Sequence, residues 1–120
     1  MDINSATALA RSLMTEHGVG YMQFGFASSV GQDGLAGGIT HYARGFGGAP
    51  WIPSKITLSL PWVEHLPESK VREIILHEIC HALVPHGTGH GPAWQNQMVK
   101  IGLPPNVRFS YPTVPEELMK

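Results

Sequence analysis

Residues 71–94 read VREIILHEICHALVPHGTGHGPAW, and the fold is decided by how this stretch is read. Within it His77, Glu78 and His81 spell H-E-x-x-H, and His90 follows after residues 82–89. On an α-helix, positions four apart differ by about 40° of rotation and roughly 6 Å of rise. His77 and His81 can therefore face one ion, with Glu78 just off their line. Two nitrogen ligands, a third from elsewhere and a carboxylate beside the open coordination position are what a zinc hydrolase needs.

The rest of the segment says where those groups sit. At 100° per residue, Val71, Ile74, Ile75, Leu76, Ile79, Ala82 and Leu83 cover most of the helix circumference. Only a narrow strip is left, holding Lys70, His77 and His81, with Glu78 on its margin. A helix this apolar is a core helix. Two imidazoles and a carboxylate on it are costly to desolvate unless a charge compensates them, and a divalent ion is such a charge. The plain alternative is a pair of hydrogen-bonded core histidines. Pro67 suits the first helical position, with Glu68 and Glu73 near the positive end of the dipole. Pro85 should stop the helix, since the residue before a proline is driven out of the α region. Cys80 points away from the ligand strip and reads as a small packed residue.

Two histidines compete for the third ligand position. Glycine and histidine three and six residues beyond the second His would be another zinc pattern, but Val84 and Gly87 stand there. The downstream glutamates, Glu116 and Glu117, lie in a proline-punctuated tail. His90 is flanked by glycines just before Pro92, which can open a new helix, so the backbone can turn its ring back; it is preferred. His86, directly after Pro85, is read as an outer or surface group.

Outward from this centre, Ala6, Leu9, Ala10, Leu13, Met14 and His17 form the stripe of an amphipathic helix. Asp2 or Asn4 can cap it, and Gly18 can end it. Residues 20–27 (GYMQFGFA) read as a strand, with Met22, Phe24 and Phe26 on one face. A glycine-rich loop over 28–38 carries the turn dipeptide Asp33-Gly34, and a weaker strand follows over 39–43. A long glycine- and proline-rich loop over 44–54 would border the working cleft. The cleanest strand is 55–60 (KITLSL), whose edge is offered to an extended substrate in this reading. After Pro92, Trp94, Met98 and Ile101 make a helical stripe, with Trp94 packing behind His90. These elements predict an α+β domain: a small three-stranded antiparallel sheet packed with about three helices. A core over 1–103 is followed by a proline-rich extended tail over 104–120.

Composition narrows the function classes. With 120 residues, 42% of them hydrophobic and 14% charged, the chain has the make-up of one globular domain. A formal net charge of −1 supplies no global field toward nucleic acid or anionic lipid. Lys55, Lys70, Arg72 and Lys100 are scattered, so no basic patch is legible either. A single cysteine excludes an intrachain disulfide and a C-x-x-C ribbon. Neither a signal peptide nor a membrane span is read, which sets the expectation of a cytoplasmic protein. The Gly-rich stretches lack the pattern of a phosphate loop.

The run HEICHALV…GTGHGPAW resembles the SprT-like metallopeptidases, including the Spartan type. These carry H-E-x-x-H, a variable connection, and H-G-P followed by an aromatic on the next helix. The N-terminal helix, YMQFGF, the glycine-rich middle and Ile56-Thr-Leu-Ser59 come in the family's order, over about residues 6–102. The resemblance implies a zincin-like fold with the metal site on the central helix. It also implies one zinc ion held by His77, His81 and His90, with Glu78 as the catalytic acid/base. Many relatives append a cysteine zinc ribbon or DNA-binding extensions, and this chain shows neither. The Spartan role of cleaving proteins crosslinked to DNA would therefore need a partner or a local basic surface here. Tyr42, His86, Arg108 and Tyr111 are the candidates for stabilising an oxyanion. The leading expectation is a zinc-dependent endopeptidase acting on protein or peptide substrates. Its rivals are a zinc-stabilised interaction module without proteolysis and a recruited DNA-repair accessory factor.

Overall fold

The computed structural model describes residues 1–31, 34 and 36–104. The expected tail from 105 onward, with Arg108, Tyr111, Glu116 and Glu117, lies outside them, as does Asp33 of the turn dipeptide. Seven elements follow in the order α1 (Ile3–Glu16), β1 (Gln23–Ala27), β2 (Gly38–Arg44), β3 (Trp51–Ser59), α2 (Leu60–His65), α3 (Glu68–Leu83) and α4 (Pro92–Ile101). The α+β class stands.

Two parts of the expected architecture are corrected. The sheet is mixed, not antiparallel: its order is β1-β3-β2, with β1 parallel and β2 antiparallel to β3. Ile56, Thr57, Leu58 and Ser59 are all buried, so β3 is the strand that gains most from having neighbours on both sides. The connection over 28–37 is long enough to carry β2 past the slot that β3 then fills. It follows that the expected substrate edge of β3, from Lys55 on, is covered by strands on both sides; the outer edges there belong to β1 and β2. The second correction is a fourth helix, the one-and-a-half-turn α2, which Pro61 starts immediately after β3.

β3 also begins earlier than expected. Trp51 already pairs with Arg44, so the supposed 44–54 loop shrinks to a hairpin tip over 45–50. The register shifts between His41 and Tyr42, where Ser54 is the extra residue opposite. Pro53, with no N–H to give a ladder, sits beside this bulge.

α1 is capped as read, with Asp2 accepting the Ser5 N–H at 2.9 Å, and Gly18 leaves it in the left-handed region at φ +79°. Its inner face buries Ala6, Ala10, Leu13 and Met14. Arg11 pins the following turn by donating to the carbonyls of Gly20 and Met22. α3 crosses the middle, packed on α1, β2, β3 and α4. Its residues 74–80 are buried without a break. Among the described residues, no helix is long and apolar enough to cross a membrane.

Candidate metal centre

α3 ends at Leu83, and Val84 is already extended (ψ 160°) ahead of Pro85, the stop that the proline demands. The chain then reverses through Gly87 (φ +90°) and Gly89 (φ +56°), backbone that side chains rarely adopt. Gly91 caps α4, whose first residue is Pro92. This turn brings His90 back over the helix. His90 Nε2 lies 3.1 Å from His81 Nε2 and 3.3 Å from His77 Nε2. Among the described residues, these three form the group able to hold a metal ion, their ligand atoms all lying within 4.8 Å of one another.

The spacing fits zinc. With Zn–N bonds of about 2.0–2.1 Å and tetrahedral angles, ligand nitrogens should stand roughly 3.3 Å apart. Three imidazoles with their Nε2 atoms turned together, two of the pairs near that spacing, could supply three of the four ligands of a tetrahedral ion. Burial, aided by the charge of the neighbouring rings, pushes His77 down to about 3 and His81 to about 4, and burial also lowers His90. All three are neutral at pH 7 and ready to donate a lone pair. The site therefore adds no cationic charge of its own.

Trp94 is the floor. Fully buried, it packs its ring at 4.6 Å from His77 and His90 and at 5.4 Å from His81, nearly parallel to the last. Its role is thus wider than the packing behind His90 expected of it; it supports all three ligands. Cys80 lies on the other side with Trp94 and Met98, fully buried, its thiol pushed up to about 12 by burial and by Glu78.

Each site residue also has its main-chain carbonyl held by a side chain from elsewhere. Trp94 Nε1 donates to His77 O at 3.3 Å, Thr40 Oγ1 to Glu78 O at 3.0 Å, Tyr42 Oη to His81 O at 2.9 Å and Gln95 Nε2 to His90 O at 2.8 Å. The Tyr42 bond has a covalent reason. In a continuing helix His81 O would accept from the N–H of residue 85, and Pro85 has none. Tyr42, two residues on from Thr40 and so on the same side of β2, supplies the missing donor. Its one proton is thereby committed, so this one of the four oxyanion candidates is occupied in holding the helix end.

Glu78 is 4% exposed and lies between α3 and β2. Its Oε1 is 2.9 Å from Thr40 Oγ1, and its Oε2 is 3.9 Å from His77 Nε2. With His77 neutral, the latter is not an ion pair. Burial pushes the carboxyl up to about 7, the Thr40 hydroxyl pulling weakly the other way. A divalent cation at the histidines would favour the carboxylate and lower that value.

His86 does not join the ligands. It is exposed, stacked on Trp51 at 4.9 Å (25° between planes) and edge-on to Tyr42 at 4.7 Å, which joins the loop carrying His90 to the hairpin. Of the residues read as ligands or catalyst, the structure thus brings together His77, Glu78, His81 and His90. Sequence reasoning missed Thr40 and Gln95, which carry no motif, and it named Tyr42 only as one of four oxyanion candidates. The missing N–H of Pro85 was the one available signal that some donor must meet His81.

A family model described as the SprT-like family matches residues 14–112, a span that includes every residue of this centre. No curated protein and no solved structure matches the chain.

Proposed function

The chain belongs to the SprT-like family, and on that premise we propose that it is a zinc-dependent endopeptidase. The observation that carries this reading is the convergence of the His77, His81 and His90 nitrogens at 3.1 and 3.3 Å beside the buried Glu78 carboxyl. A site built only to brace a fold would gain nothing from burying that carboxylate. Zinc held there would supply a Lewis acid for a peptide carbonyl and lower the pKa of a water at the open position.

The protein's own contribution is positioning and proton transfer. His77, His81 and His90 stay neutral and leave the ion its full charge. Glu78 would take a proton from the attacking water and return one to the leaving amine, a role open to a buried carboxyl held beside the three histidines. A peptide would add as an extended strand along the outer edge of β2, which flanks Glu78 and His81 through Thr40 and Tyr42. The rival reading, a zinc-braced interaction module, draws on the hairpin, where Phe46 is fully exposed and Trp51 and Ile52 are about half exposed. A cytoplasmic location is part of our reading, since the one cysteine is a buried free thiol. Any action on DNA-associated proteins is assigned to recruitment by a partner, given the net charge of −1.

The test measures bound zinc and cleavage of an unfolded protein by the wild type and Glu78→Gln, with and without DNA. Zinc in both with cleavage only by the wild type supports the peptidase. Zinc in both with cleavage by neither would sink it in favour of the module, and absence of zinc would sink both.

A further inference from the structure

Glu78 has three side-chain torsions, yet a general base must hold its carboxylate to within a few tenths of an ångström of one place. β2 contains what holds it. Gly38 and Thr40 are two residues apart on that strand and so face the same side, toward α3. At Gly38 a Cβ would stand 3.1 Å from Glu78 Cγ, 3.1 Å from Leu58 Cδ2 and 3.4 Å from Ile74 Cγ2, so any side chain there would displace the stem of Glu78. At Thr40 the hydroxyl lies 2.9 Å from Glu78 Oε1 and 3.0 Å from Glu78 O; its one proton is shared between these two acceptors and is drawn to the carboxylate when Glu78 is ionised. The stem passes over a residue with no side chain, and the head meets one whose hydroxyl is tied to the helix.

We propose that Thr40 is a positioning residue for Glu78, acting through its hydroxyl, and that Gly38 is the space that lets the carboxylate reach it. The proposal rests on the peptidase reading. The hydrogen bonds of Thr40 go to Glu78, so its loss should act on proton transfer more than on the metal. Thr40→Val keeps the branched shape and removes the hydroxyl; Thr40→Ser keeps the hydroxyl and removes the methyl.

The experiment uses zinc-loaded full chain and reads kcat, KM, zinc affinity by chelator competition, and the crystal structure of each variant. A misplacement of about 1 Å can cost on the order of a hundredfold in rate. Thr40→Val is therefore expected to lose roughly ten- to a hundredfold in kcat, with KM and zinc affinity within about threefold of wild type. Its Glu78 carboxylate should be turned from the wild-type position. Thr40→Ser should keep both the position and most of the rate. Gly38→Ala should lose kcat in the same way if it folds; the two Thr40 variants decide the matter if it does not. Wild-type kcat in Thr40→Val would overturn the proposal, as would an equal loss in Thr40→Ser, or loss of zinc in either. These outcomes leave the peptidase reading standing, whereas a zinc-loaded wild type that cleaves nothing removes both.

Discussion

Removing the Tyr42 hydroxyl should destabilise the protein by an amount that depends on residue 85. In Tyr42→Phe the His81 carbonyl loses its 2.9 Å donor, and Pro85 has no N–H to replace it. Stranding a buried acceptor costs about 1–3 kcal/mol. His81 is half-buried and water can reach part of the helix end, which puts the expected loss near the low end, at about 1–2 kcal/mol. For a domain of this size that is a fall in Tm of roughly 3–8 °C. Pro85→Ala supplies an N–H at the right spacing and frees Val84 from the extended backbone (ψ 160°) it now holds. In that background the helix can run on by a residue and serve His81 itself. A double-mutant cycle by urea unfolding of the zinc-free proteins should then show the cost of Tyr42→Phe shrinking to less than half. An undiminished cost in the Pro85→Ala background, or no cost in the wild-type background, would refute the account of Tyr42 as the substitute donor.

The zinc-free protein should lose stability in mild acid. His77 and His81 fall from 6.5 when unfolded to about 3 and about 4 when folded, so below pH 6.5 the unfolded chain binds protons the folded one refuses. Glu78 acts oppositely, with a folded value of about 7 against 4.5, and favours the folded state as pH drops from 7 to 4.5. His77 and His81 against Glu78 leave a net loss on the order of 1 kcal/mol per pH unit between 6.5 and 4.5, and His90, lowered as well, adds in the same direction; urea titration would follow it, and stability that rises over that window would contradict it. His90→Ala should weaken zinc binding by on the order of a hundredfold or more while His86→Ala leaves it unchanged, and chelator competition would expose a reversal of the two. Cys80 should resist iodoacetamide at about pH 8 until the protein is unfolded, because its thiol is buried and its pKa is about 12. Rapid labelling of the native protein would show that the packing against Trp94 is not as described.

The histidine cluster was largely legible because its signals are local. The i, i+4 spacing of His77 and His81, the stop at Pro85 and the glycines around His90 are each read within a few residues, and together they bring the three histidines to one place. The sheet was legible only as strands. Which strand takes the centre depends on competition among all three for burial, and periodicity within β3 is the same whether its neighbours run parallel or antiparallel. The support around the centre was least legible. Thr40, Tyr42 and Gln95 act through contacts 38 and 39 residues away, and 5 residues away around a helix start, and none needs a distinctive residue type. Trp94 was placed in the core, but its packing against three rings required the loop over 84–91 to close first.

The four side chains that grip carbonyls grip the main chain, which every amino acid shares. A ligand histidine or Glu78 could be replaced in the course of descent and the peptide skeleton around it would still be fastened at the same four points. Loss of chemistry and loss of shape are therefore separate events in this fold. A lineage that lost the proposed reaction would still inherit a main chain fastened at these points, open to selection for holding something else.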